Sequence, residues 1–223
     1  MARSQFAYVP QEIAFPQHVT GRQMLWFMAA HAEAPLAIEN LLAELRLGKF
    51  IDVPVRHLSG GQKRLLSIAA AFVRGTRFVV LDEPTVGLDL EVRRRLFLYW
   101  REFVARGGTL FMTTHHLHEA EELASRVIVL NQGRVVHTGS PAEIKRDYGL
   151  RRISFRCEQP PPAAVGASLC PLTGHWRIES REAEVPLREL VLWGGARDIE
   201  VSPLPLEDVL RQVVRQEEPK AWV

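Results

Sequence analysis

The sequence predicts an α/β protein built on a parallel sheet, with a helical subdomain at about residues 19–57 and a small α+β unit after residue 149. Three observations carry this. Phe78-Val79-Val80-Leu81 is a short, wholly apolar run, which reads as a strand of a parallel sheet covered on both faces. Ahead of it, Leu65, Leu66, Ile68, Ala69, Phe72 and Val73 recur at the spacing of one buried helical stripe. After it come an amphipathic helix at residues 90–104, carrying Leu96, Phe97, Trp100 and Val104, and another strand at residues 109–114.

The remaining elements follow in order. Phe6-Ala7-Tyr8-Val9 reads as a strand stopped by Pro10, which leaves Gln11 on a loop. Residues 19–50 are helical in pattern, with Leu25, Phe27 and Met28 in one segment, Ile38, Leu41, Leu42 and Leu45 in the next, and a break near Pro35. Ser59-Gly60-Gly61-Gln62 then falls at a helix N-terminus. There, unpaired N–H groups and the positive end of the helix dipole point outward, and the glycines let a phosphate approach the backbone. Asp82 and Glu83 stand at the carboxyl end of the apolar strand, the edge at which open α/β sheets bind ligands.

Ala105-Arg106-Gly107-Gly108 closes the amphipathic helix, and His115 sits at the end of the strand at residues 109–114. A helix at 117–124, a further buried strand at 127–130, a turn at Asn131-Gln132-Gly133-Arg134 and a strand at 135–139 come next. Ser140 caps a short helix that has Pro141 at its first position. In residues 150–223, Ile153 and Phe155 alternate, as do Trp176 and Ile178. Residues 185–192 read as a helix, 199–201 as a strand and 206–214 as a last helix.

The chain has 223 residues, 47% hydrophobic and 24% charged, with a net charge of +2, the balance of an ordinary globular protein. So slight a positive excess gives no nucleic-acid footprint, and Arg93-Arg94-Arg95 reads as the wet side of a helix. The apolar windows fall short of the roughly 20 residues a membrane span requires. No signal-peptide core follows Met1, so the chain is expected to start inside its fold. Cys157 and Cys170, the only cysteines, suit a reducing cytosol and cannot form a zinc site alone. His115, His116 and His118 invite a metal reading, but neighbouring strand residues point to opposite faces and no clear ligand set accompanies them.

The order Leu58-Ser59-Gly60-Gly61-Gln62, an apolar run ending in Asp82-Glu83-Pro84, Gly87-Leu88-Asp89, then Thr113-Thr114-His115, resembles the second half of an ATP-binding cassette (ABC) ATPase subunit. The resemblance covers roughly residues 6–149, read as a partial ABC ATPase domain on a P-loop NTPase-like fold, N-terminally truncated; residues 150–223 are weakly similar to the small C-terminal domain of bacterial exporter-type cassettes. It implies ATP and Mg2+ as cofactors. It gives Glu83 the role of general base, Asp82 that of holding magnesium through water, and Gln11 that of touching both the metal and the attacking water. His115 becomes the γ-phosphate switch, Ser59, Gly60, Gly61 and Gln62 the signature that grips the nucleotide of a second ATP-binding subunit in a head-to-tail dimer, and Asp89 a dimer contact. The further implied partner is a transmembrane permease subunit, which would keep the chain cytoplasmic and peripheral on the inner face of the membrane. Met24, Trp26 and Phe27 are either core or part of the dock for that permease.

The phosphate loop of such an ATPase, G-x-x-x-x-G-K-[ST], is not found; Gly48-Lys49 is followed by Phe50 and lacks the earlier glycine. By resemblance, the loop's strand would lie between those at 109–114 and 127–130. Its loss implies either a poorly stable chain or closure of the gap by those two strands. Two functions compete: the ATP-hydrolysing subunit of an exporter, and a non-catalytic partner that lends Ser59 and Gly61 to an intact subunit. A cassette protein acting on DNA or ribosomes ranks last, because no coiled-coil insertion, zinc cysteines or basic extension supports it.

Overall fold

A computed structural model gives the structure of the chain and describes residues 6–171 and 173–217. The expectation that the chain starts inside its fold, at residues 1–5, lies outside the described residues. Two compact units are present, Met1–His115 and His116–Val223. The division falls earlier than residue 149 because the elements just after His115 pack with the end of the chain.

In the first unit, strands β1 (Phe6–Val9), β2 (Phe78–Asp82) and β3 (Thr109–Thr113) form a parallel sheet in that spatial order. The register sets Ala7 beside Val79 and Val79 beside Leu110, then Val9 beside Leu81 and Leu81 beside Met112. These residues share one face, and Ala7, Val9, Val79 and Leu81 are buried there. Helix α3 (Gly60–Phe72) packs on β1 and helix α4 (Leu90–Ala105) on β3. Between the helices, Phe72 meets Tyr99 and Phe103 edge to face, at ring separations of 4.9 and 5.0 Å. Such desolvation pushes the Tyr99 phenol above its ordinary range.

The helical subdomain consists of α1 (Gly21–Ala30) and α2 (Ile38–Leu45), both packed on α3. Thr20 and Gln23 cap α1 reciprocally, each side chain bonding the other's backbone N–H. The turn that returns from α3 needs Gly75: its φ is +66°, and a Cβ there would lie 1.9 Å from the carbonyl oxygen of Ala34.

The other face of the sheet departs from expectation. Phe6, Tyr8, Phe78 and Phe111 are all exposed on it, so β2 is covered on one side only among the described residues. The apolar run alone cannot report this, since a strand reads as two-sided whether or not its second cover is at hand. Among the described residues, β3 pairs with β2 alone, and β4 (Val127–Asn131) belongs to a separate two-stranded sheet, so the expected closure by those two strands is not formed there.

In the second unit, β4 pairs antiparallel with β5 (Arg134–Gly139). It is not the buried strand its apolar sequence suggests, for Ile128 and Leu130 are exposed. Helices α5 (Leu117–Leu123) and α6 (Pro141–Tyr148) flank the hairpin in sequence, the latter capped by Ser140 and Glu143. A four-stranded sheet follows, in the order β7 (Ser168–Leu169), β8 (Trp176–Ser180), β6 (Arg151–Arg156), β9 (Arg197–Pro203). Helix α7 (Glu184–Trp193) closes its core through Leu190, against Ile153, Phe155 and Ile178. Helix α8 (Leu206–Glu217) instead packs on α5 and α6, burying Leu206, Val209 and Leu210 with Ala120 and Ile144.

Glu121 fastens that junction, accepting from the Lys145 ammonium and, at 3.1 Å, from the Leu206 N–H. Burial raises its pKa, but those two partners outweigh burial and hold it below its ordinary 4.5. Its stabilising contribution is therefore complete above pH 4.5 and is lost as pH falls through the lowered value. In denaturant titrations, wild-type stability is expected to fall more steeply below pH 4.5 than that of Glu121→Gln; parallel curves would count against the assignment. The uncovered sheet face predicts that the purified chain binds a hydrophobic dye and melts over a broad range. A sharp calorimetric transition without dye binding is the contrary result.

Candidate functional site

Three loops leave the sheet at its carboxyl edge: Pro10-Gln11 after β1, Glu83-Pro84 after β2, and Thr114-His115 after β3. Parallel strands in matched register end together, so residues far apart in sequence arrive side by side.

The tightest cluster gathers around Thr113, which is paired in register with Asp82. Its hydroxyl donates to Asp82 Oδ1 and accepts the Glu83 N–H at 3.2 Å, and its carbonyl accepts that same N–H at 3.2 Å. Tyr8 donates its hydroxyl to Asp82 Oδ2 at 3.3 Å. Desolvation, together with the charge of Asp82, pushes the Tyr8 phenol above its ordinary value.

Glu83 is one of few non-glycine residues with positive φ, +47°, a strained geometry that the bonds to Thr113 hold in place. Its side chain is 17% exposed, and Oε2 lies 2.9 Å from Nδ1 of the more exposed His115. That separation is short enough for an ion pair, though Oε2 makes no formal hydrogen bond.

A second group lines a cleft of about 500 Å³ formed by Gln11, Ile13, Gly60, Gly61, Lys63, Arg64, Val86 and Gly87. Gly60 opens onto free space, with no atom within 4 Å of where a Cβ would project. Gly61 faces the carbonyl of Gly87, which would stand 3.3 Å from an added Cβ, so the Gly87 loop sits close against the helix end.

The expected binding residues also hold the fold together. Ser59 caps α3, accepting from the Gln62 N–H at 3.2 Å while Gln62 Oε1 accepts the Ser59 N–H at 2.9 Å. Asp89 caps α4, accepting the Val92 N–H at 2.9 Å, and is outside the residues lining the cleft. The structure thus brings Asp82, Glu83 and His115 into one cluster and Gln11, Gly60 and Gly61 into another, with Ser59 and Gln62 at the cap beside the second.

Sequence reasoning missed three residues: Tyr8 and Thr113, which orient Asp82, and Arg64. Arg64 is the one charged residue in an unbroken buried run of α3, 6% exposed, a burial that its place beside Lys63 in the sequence does not show.

Residues 1–86 match the family model described as ABC transporter. The match takes in Gln11, Ser59-Gly60-Gly61 and the acidic pair. Over these residues the chain resembles the ABC transporter family. A Nod factor export ATP-binding protein I of Mesorhizobium japonicum is 37% identical over 146 residues, which are 63% of this chain and 43% of that protein. Its counterpart in Paraburkholderia xenovorans is 35% identical over 184 residues, 80% of this chain and 60% of that protein. The chain therefore spans roughly half the length of these ABC relatives. A solved ATP-binding subunit of an ABC transporter superposes with a TM-score of 0.60 at 30% identity, covering 66% of this chain and 63% of that one.

Removing the Thr113 hydroxyl is expected to show in both stability and geometry. Thr113→Val should cost about 1–2 kcal/mol by urea unfolding and release the backbone of Glu83 from positive φ, visible as a displaced amide resonance. An unchanged Glu83 resonance would mean that the strand pairing alone sets that geometry.

Proposed function

We propose that this chain acts as the ATP-binding and ATP-hydrolysing subunit of an ABC transporter, energising export through a separate transmembrane permease at the cytoplasmic face of the membrane. The observation that carries the proposal is the Glu83 carboxylate, buried at one oxygen and 2.9 Å from His115, on a backbone whose N–H is held by Thr113. A carboxylate so fixed is suited to take a proton from a water molecule, and His115 is placed to hold its orientation. The names of the export relatives support the outward direction.

The residues present fit part of a magnesium nucleotide. Asp82, its two oxygens oriented by Thr113 and Tyr8, would hold the metal through water, and Gln11, on the loop after the neighbouring strand, is proposed to reach the same metal. Gly60, open to solvent at the N-terminus of a thirteen-residue helix, offers backbone N–H groups to a phosphate bound by a second, head-to-tail ATP-binding subunit. When bound, the metal neutralises charge on the phosphates. Asp89, at the cap of α4, is assigned to the same contact between subunits. Residues 1–149 are proposed to serve as the cassette portion and 150–223 as an accessory unit. Trp26 and Phe27, 59% and 60% exposed on α1 while Leu25 is buried, are proposed as part of the permease dock.

A second reading rests on the Ser59-Gly60-Gly61 turn, which is complete in the chain. Under it, the chain is a non-catalytic partner that donates this turn to an intact subunit.

One experiment separates the two. Mixed with an intact cassette subunit, the chain is expected to support magnesium-dependent phosphate release that Ser59→Arg abolishes. If the chain also supplies the base, Glu83→Gln lowers kcat by about 10²–10⁴. A rate indifferent to Glu83→Gln leaves only the donor role, and a rate indifferent to both overturns both readings.

A further inference from the structure

Arg64 is the most deeply buried charged side chain near the cleft, and its partners are backbone. Nη1 donates to the carbonyl of Pro10 at 2.7 Å and Nη2 to that of Gln11 at 2.6 Å, across more than fifty positions of sequence. Both bonds are short, and both are made by a guanidinium that cannot lose its proton. Only 6% of the residue is exposed. Burial pulls its pKa below the ordinary value, and the charges of Asp82 and Glu83 oppose that pull.

The arrangement is mechanical as well as electrostatic. Arg64 lies about one helical turn beyond Gly60 on α3, so it and the capped Ser59-Gly60-Gly61 turn move as one rigid body. The loop that starts at Gln11 is held at its far end by other bonds, Val55 N–H to the Val19 carbonyl and Arg56 N–H to the Gln17 carbonyl. At the near end, the fork of Arg64 ties it to α3.

We infer that Arg64 is the positioning residue of the glutamine loop: it clamps the backbone of Pro10 and Gln11 to the first turns of α3, so a displacement of the Ser59-Gly60-Gly61 turn carries Gln11 with it. This rests on the proposed reading for the function of Gln11, though the clamp itself does not. Arginine suits the position because its planar fork reaches two carbonyls at once; a lysine ammonium is a single point charge on a flexible stem.

Hydrogen exchange read by mass spectrometry on the 223-residue chain tests the clamp. In Arg64→Gln, amides of residues 11–17 are expected to exchange about tenfold faster than in wild type, with Arg64→Lys intermediate and residues 65–72 still protected. Loop exchange within about twofold of wild type in both variants overturns the inference. If Arg64→Gln loses protection throughout α3, Arg64→Lys decides: acceleration confined to the loop supports the clamp, and uniform loss overturns it.

A second arm uses the chain mixed with an intact cassette subunit. There, Arg64→Gln should lower kcat for phosphate release with KM for ATP unchanged, and should cause no further loss when added to Gln11→Ala. Additive losses overturn the coupling to Gln11. Absence of phosphate release with the wild-type chain instead defeats the functional reading, while the exchange data still decide the clamp.

Discussion

The carboxyl edge of the sheet depends on one hydrogen-bonded junction, the threonine at the end of β3. Thr113 orients the carboxylate of Asp82 with its hydroxyl and holds the backbone of Glu83 with both its hydroxyl and its carbonyl. Glu83 sits at positive φ, which a non-glycine residue keeps only when its surroundings over-determine it. The junction exists because β2 and β3 are parallel and in register, so Asp82 and Thr113 end their strands together. A one-residue slip would turn Thr113 to the opposite face and release both acids.

Around that edge, single residues serve structure and site together. Ser59 and Gln62 each satisfy one N–H at the start of α3, and Asp89 satisfies one at the start of α4. Such caps are worth about 1 kcal/mol each, reason enough for their presence. The same capping leaves Gly60 facing open space with the helix dipole behind it, which is what an incoming anion requires. Arg64 connects this helix end to Gln11 without contributing to either cap.

The first unit carries an exposed apolar sheet face made of Phe6, Tyr8, Phe78 and Phe111. Parallel sheets are ordinarily covered on both sides. Asp82 and Thr113 lie in the next row of that face, so the acidic pair borders the surface left open. In the second unit, α8 turns back onto α5 and α6, with Glu121 and Arg152 forming half-buried polar ties. That return moves the division between units to His115 and away from the boundary expected at residue 149.

The sequence alone determined the order and type of the elements, because hydrophobic period, caps and glycine turns are local properties. The helix starting at Gly60, the strand ending at Asp82, and Ser140 with Pro141 opening α6 each carry their signal within a few residues. It also placed Gln11, Glu83 and His115 on loops after strands, Ser59 at a helix cap and Asp82 at the end of its strand. Tertiary structure decided what lies beside what. Tyr8 and Thr113 read as ordinary strand residues, and only the register puts their hydroxyls on Asp82. The exposure of Ile128 and Leu130 was equally illegible, since an apolar strand looks the same whether its cover is present or not. Burial and register are relations between distant segments, and no local pattern encodes them.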